Sequence, residues 1–258
     1  MMKEAARRGE LEIFYQPKVD MSKGTLVGVE ALLRWRHPTL GLLQPEMFNL
    51  ARLQNESSVI DLGHWVITKT LQQISDWRKA GFQTPVSVNI MVSELINDNF
   101  CDWLSGIFRH YSDVDPSMLE LEIVESSQIS DPVSLFEVIT QCRLSGVKFA
   151  LDDFGTGYSS ISHMRNLPAD HVKIDKMFVN EIVHNIQDQE LVKFIIAIAS
   201  VFERKAIAEG IENVNQGLML MRLGCKIGQG YAIARPMAAV DLPGWVNEYK
   251  GHPEWMAA

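Results

Sequence analysis

The sequence predicts an α/β fold closed into a β/α barrel. Apolar runs of strand length alternate with longer segments of helical period, the pattern of a mostly parallel sheet with helices outside it. About eight such runs are present, enough to close the sheet on itself, and 258 residues is a common size for one such barrel. The first two runs are joined by a short turn, Asp20-Met21-Ser22-Lys23-Gly24-Thr25, which suits an antiparallel hairpin.

In chain order, strands are expected near Leu11–Val19, Leu26–Arg34, Val86–Met91, Met118–Val124, Val147–Leu151, His171–Ile174, Ala206–Ala208 and Lys226–Gln229. Helical periods cover about Leu62–Ala80, Ser93–His110, Pro132–Ser145, Ser159–Asn166, Asp188–Phe202 and Asn213–Leu223. Gly81 and Gly146 stand where a helix ends in a left-handed residue, and Asp131-Pro132 is a helix start with proline at the first position. Residues 1–10 read as a linker or helix end, 11–245 as the barrel and 246–258 as a frayed tail. Both ends suit a domain cut from, or attached to, a longer chain.

Composition narrows the function. No apolar run reaches the roughly 18 residues that span a bilayer, and Phe194–Phe202 reads as a buried helix. The N-terminus lacks the apolar stretch of a signal peptide, so a cytoplasmic protein without membrane partners is expected. Cys101, Cys142 and Cys225 are odd in number and far apart, which suits reduced core thiols. The histidines form no His-x-x-x-His pair, so a zinc hydrolase has no ligand set. A formal charge of −8 argues against long nucleic acid as a partner.

The informative residues are polar ones on apolar strands. Period-two alternation puts Glu30 and Arg34 on one face of their strand, Ser87 and Asn89 on one face of theirs, and Glu122 opposite Leu121 and Ile123. Later strands end in Asp152-Asp153, in Lys173 and in Glu209. A single glutamate on a strand is usually an edge residue. Six oxygen donors near strand C-terminal ends are another matter, because a barrel gathers those ends on the rim where active sites lie. So many acids in one cavity need a positive partner. Carboxylates plus one amide, without cysteine or histidine, favour Mg²⁺ or Mn²⁺, and adjacent aspartates suit a two-ion site of the phosphoester-hydrolysing kind. Asp153-Phe154-Gly155 also matches a kinase metal-binding triplet, but no glycine-rich loop or His-Arg-Asp loop accompanies it.

Eight segments, in order, resemble the EAL-domain cyclic-di-GMP phosphodiesterases: Tyr15–Asp20, Glu30–Trp35, Val88-Asn89, Leu121–Ser126, Asp152–Ser160, Val172–Lys176, Ala208–Glu212 and Gly224–Tyr231. The resemblance implies a modified β/α barrel with an antiparallel first strand, and hydrolysis of cyclic-di-GMP to linear pGpG with two Mg²⁺ or Mn²⁺ ions. It assigns Glu30, Asn89, Glu122 and Asp152 to one ion, and Asp152, Asp153 and Glu209 to the other. Lys173 would orient the attacking water and Glu209 would assist its deprotonation. Arg34 would grip a phosphate, with Gln16, Leu33, Asp153, Glu212 and Gln229 on the substrate side. Glu125 would anchor the loop at Gly155-Thr156-Gly157, which in the family reaches a homodimer partner. An alternative of another class is a cyclic-di-GMP receptor or interaction module without turnover; such domains lose a metal ligand or the lysine, and none is lost here.

The sequence departs from the family at Met91, where serine is usual, at Val124 and Asn213, where threonine is usual, and along Pro45–Trp65. These changes are expected to touch packing and the partner surface more than the chemistry.

Overall fold

The structure, a computed structural model, describes residues 2–48, 56–97, 99–124, 131–155 and 161–258. Its strands are β1 (Leu11–Asp20), β2 (Thr25–His37), β3 (Gly41–Leu43), β4 (Val86–Ile90), β5 (Leu119–Val124), β6 (Lys148–Phe154), β7 (His171–Ile174), β8 (Lys205–Ala208), β9 (Ile227–Gln229) and β10 (Met237–Ala238). From β2 through β4 to β9, neighbouring strands pair in parallel. β1 closes the ring, antiparallel to both β2 and β9. This is an eight-stranded barrel with an antiparallel first strand, as expected. The short β3 and β10 extend it by pairing with β2 and β1.

The helices are α1 (Met2–Arg7), α2 (Pro45–Phe48), α3 (Glu56–Lys79), α4 (Val92–Leu95), α5 (Phe100–His110), α6 (Pro132–Leu144), α7 (Ile161–Asn166), α8 (Lys176–Asn180), α9 (Ile186–Val201), α10 (Val214–Leu223), α11 (Leu242–Glu248) and α12 (Pro253–Met256). They cover the outer face of the barrel, where Leu119, Leu121, Phe149 and Val172 are fully buried in one apolar core. Burial of that face is the main stabilising term. The alternate positions of the same strands are therefore forced into the lumen, and those are the polar ones.

Local chemistry explains most element ends. Asp131 caps α6 by accepting from the amides of Val133 and Ser134, just before Pro132. Asn213, standing for the usual threonine, completes a capping box with Gln216 at α10. Met91 has no such oxygen, and α4 starts without a side-chain cap.

Three expectations are corrected. Ser93–His110 is two helices, because Asn97 accepts a bond from the amide of Asn99 and competes with the helical ladder there. Phe194 and Val201 on α9 are exposed, so that helix is buried on one face only. The C-terminal segment is not frayed: Trp255 is fully buried and its indole donates to the Val214 carbonyl at 2.9 Å. Gly217 leaves the room for it, since a Cβ there would lie 2.3 Å from the indole.

Cys101 and Cys142, distant in sequence, bring their sulfurs to 3.8 Å between α5 and α6 as free thiols. Among the described residues no helix is long and apolar enough to cross a membrane.

Candidate functional site

The lumen is organised around one ammonium group. Lys173 on β7 places Nζ 2.7 Å from Glu122 Oε2, 2.7 Å from Glu209 Oε1, 3.0 Å from Asp152 Oδ1 and 3.7 Å from Glu30 Oε1. Four strands thus converge on it, and each of those carboxylates was predicted from alternation or from its place at a strand end. The Asn89 amide donates to Glu30 Oε1 at 2.7 Å, leaving its own oxygen for another partner. Gln229 donates to Glu30 Oε2 at 2.6 Å and to Gln16 Oε1 at 3.0 Å, and Gln16 donates to the Ala234 carbonyl.

The adjacent aspartates are presented by a backbone irregularity. The β6–β7 register shifts between Leu151 and Phe154, and Asp153 has a φ of 52°, in the left-handed region. Such a bulge bends the strand and re-aims its side chains, and aspartate tolerates this conformation better than most residues. One oxygen each from Asp152, Asp153 and Glu209 then lies within 4.8 Å of the others. Gly210 follows Glu209 with a φ of 67°, where a Cβ would come 2.4 Å from that of Lys176.

Charge is unevenly matched here. Glu30, Glu120, Glu122, Asp152, Asp153 and Glu209 face two ammonium groups, Lys18 and Lys173. Six carboxylates against two cations leave a formal deficit of four. The acids divide accordingly. Burial opposes ionisation of Glu122, but Lys173 and Lys18 outweigh it and hold the carboxyl well below its ordinary range. Burial dominates at Glu209 and at Glu30, and both are raised despite Lys173. Asp153 is pushed up to about 7, first by burial, then by Asp152 and by the hydrogen-bonded Asp175. Burial lowers Lys173 less than its four acids raise it, so it stays charged. An all-oxygen donor set carrying this excess of carboxylates fits Mg²⁺ or Mn²⁺.

The remaining predicted residues stand further out. Arg34 is buried, with its guanidinium 5.9 Å from the Phe14 ring and donating to the Leu33 carbonyl at 2.8 Å. The Leu33 side chain itself belongs to the apolar core. Glu212 is exposed, and among the described residues no hydrogen bond or ion pair ties its side chain to the ring. Glu125 lies outside the described residues.

Sequence reasoning put Ser87 on the same face as Asn89 but missed the rest of a lower layer of the lumen: Lys18, which donates to Ser87, with Glu120 and His171. Period two would have found two of them, since Glu120 and His171 sit two residues before Glu122 and Lys173 on the same faces. It also missed Asp175, whose carboxylate serves both Asp153 and the N-terminus of α8.

Comparison with known proteins agrees with this geometry. The EAL domain family model matches residues 1–236. The chain belongs to the EAL domain family. Among curated relatives, the EAL domain is 36% identical over 242 residues to the "bifunctional diguanylate cyclase/cyclic di-GMP phosphodiesterase MucR" of Pseudomonas aeruginosa, covering 93% of this chain and 35% of that protein. It is 33% identical to the "cyclic di-GMP phosphodiesterase PdeR" of Escherichia coli, over 96% of this chain and 37% of the relative. The chain therefore spans little more than a third of these relatives. A solved structure titled "PaMucR Phosphodiesterase, c-di-GMP complex" superposes with a TM-score of 0.87, covering 93% of this chain and 97% of that one.

Proposed function

We propose that this EAL domain hydrolyses cyclic-di-GMP to linear pGpG. The observation that carries the proposal is the charge deficit of the lumen, a ring of oxygen donors at the strand C-terminal rim that two divalent cations would neutralise. The relatives named as cyclic-di-GMP phosphodiesterases, and the likeness to a structure titled as a cyclic-di-GMP complex, support the choice of substrate.

Glu30, Asn89, Glu122 and Asp152 would hold one ion, and Asp152, Asp153 and Glu209 the other. Bound there, Mg²⁺ or Mn²⁺ polarises the phosphoryl oxygens and lowers the pKa of a bound water. Lys173 donates a hydrogen bond to the attacking water and fixes its direction, its other protons remaining on Asp152 and Glu122. Glu209, 2.7 Å from Lys173, would accept the water's proton when the cations it holds keep it ionised. Arg34 supplies a guanidinium for the phosphate. Gln229 keeps Glu30 in place and Gln16 supports Gln229, both offering amide groups to the dinucleotide, with Glu212 at the margin of the pocket. Pairing with a second copy of the chain belongs to the same proposal, and so does membership of a longer cytoplasmic signalling protein.

The test is a turnover assay with product identification. pGpG is expected with Mg²⁺ or Mn²⁺, and Lys173→Ala should slow its formation by on the order of 10²–10³-fold. Ca²⁺ should bind the oxygen donors yet support little hydrolysis, its looser coordination aligning the water poorly. Tight binding with the dinucleotide intact after hours in either metal would assign the domain to the receptor class instead.

A further inference from the structure

The lower layer of the lumen lies beneath the oxygen ring, and one of its groups reaches up to it. Lys18, on the antiparallel β1, is buried, and its Nζ lies 2.5 Å from Glu122 Oε1, 2.7 Å from Ser87 Oγ and 3.3 Å from Glu120 Oε1. Glu122 is fully buried and divides its oxygens, Oε1 to Lys18 below and Oε2 to Lys173 at 2.7 Å above. Glu120 is likewise divided between Lys18 and the His171 ring. Glu120, Lys18, Glu122 and Lys173 therefore form an alternating row of charge, with the His171 ring at its lower end and β1 supplying the cation between the two β5 acids.

We propose that Lys18 is a positioning residue for the reaction: by holding Glu122 Oε1 from below, it leaves Oε2 as the oxygen presented to the rim. The inference rests on the reading of the domain as a metal-dependent phosphodiesterase. A buried carboxylate with an ammonium on one oxygen can rotate in neither direction without breaking a charge-assisted bond in a medium without water to replace it. Among the described residues Lys18 makes no hydrogen bond or ion pair with Asp152, Asp153, Glu209 or Glu30, so Glu122 is the proposed ion ligand it contacts directly, and only its charge reaches Glu30. Groups that hold a metal ligand from behind typically change metal affinity or activity by about 10–100-fold when removed.

The direct experiment is a crystal structure of the wild-type domain soaked in Mn²⁺, with ions located by anomalous scattering. Glu122 should keep Oε1 on Lys18 and give Oε2 to an ion; an ion taken by both oxygens, with Lys18 detached, would overturn the proposal. The companion experiment compares wild type with Lys18→Met, which keeps the apolar stem and removes the charge. Calorimetric titration with Mn²⁺ alone should show affinity weakened by at least about tenfold, with kcat falling similarly and KM for cyclic-di-GMP unchanged. A role confined to folding would instead lower thermal stability and leave Mn²⁺ affinity as it was, which would also overturn the proposal. Should Lys18→Met fail to fold, Lys18→Met with Glu120→Gln removes the buried carboxylate that lost its ammonium, and the same readouts apply. Wild type that binds no Mn²⁺ would defeat the phosphodiesterase reading; a Lys18→Met variant as tight and as fast as an active wild type would defeat only this one.

Discussion

Two glutamates of this domain are equally cut off from water and behave in opposite ways. Glu122 lies in the barrel lumen, with one ammonium on each oxygen, and remains ionised far below the usual pH. Glu94 lies on α4 against Gly63 of α3, where a Cβ at that glycine would come 1.9 Å from its Oε2. Among the described residues its Oε2 has no hydrogen-bond partner, and burial pushes its pKa up to about 8. Burial alone therefore does not set the charge of an acid; the groups it is buried with do. In the lumen, strand alternation places two lysines among the acids. Among the described residues nothing cationic meets Glu94 at the α3–α4 contact, and a proton takes the place of a counter-charge.

The same substitution should consequently have opposite signs at the two positions. Glu122→Gln leaves Lys18 and Lys173 without their shared acid, and is expected to destabilise the domain by about 3–5 kcal/mol while abolishing most turnover. Urea melts of the two proteins measure the first effect. A stable Glu122→Gln domain would mean that Glu120 suffices for Lys18, and Glu30, Asp152 and Glu209 for Lys173, and would weaken the account of the lumen.

Glu94→Gln should stabilise the domain at pH 7, by on the order of 2–3 kcal/mol. The sign follows from linkage: a carboxyl raised from 4.5 to about 8 takes up a proton on folding across that interval. Its favourable contribution is complete below pH 4.5 and is lost as pH rises through 8. The stability difference between wild type and Glu94→Gln should widen steadily from pH 5 to pH 8. Parallel curves would show that Glu94 is ionised in the fold.

The smallest effect concerns the start of the same helix. Met91 occupies the cap of α4 without an oxygen to satisfy an amide there. Met91→Ser should add about 1 kcal/mol, read as a higher melting temperature. No gain would mean that the amides already have solvent partners.

These contrasts also mark what the sequence could reveal. Glu30, Asn89, Glu122, Lys173 and the Asp152-Asp153 pair were legible because an acid or amide on an apolar, alternating strand has to face a lumen. The bulge that turns Asp153 was not legible, since it depends on the pairing of β6 with β7 rather than on either strand alone. Lys18 escaped because a lysine in a hairpin strand usually reaches solvent, and only barrel closure through β1 carries it inside. Glu94 escaped because one long helix over Ser93–His110 gave it no reason to be buried; the break after Leu95 leaves a single short turn pressed against α3. The β3 and β10 strands are three and two residues long, too short for period two to register.

The central claim is that four unbalanced lumen charges are matched by two divalent cations. Equilibrium dialysis of the wild-type domain against Mn²⁺ with cyclic-di-GMP, followed by elemental analysis, measures this directly. Two ions per chain, with pGpG as product, are predicted. A ratio of one or none, with the dinucleotide unchanged, would contradict it.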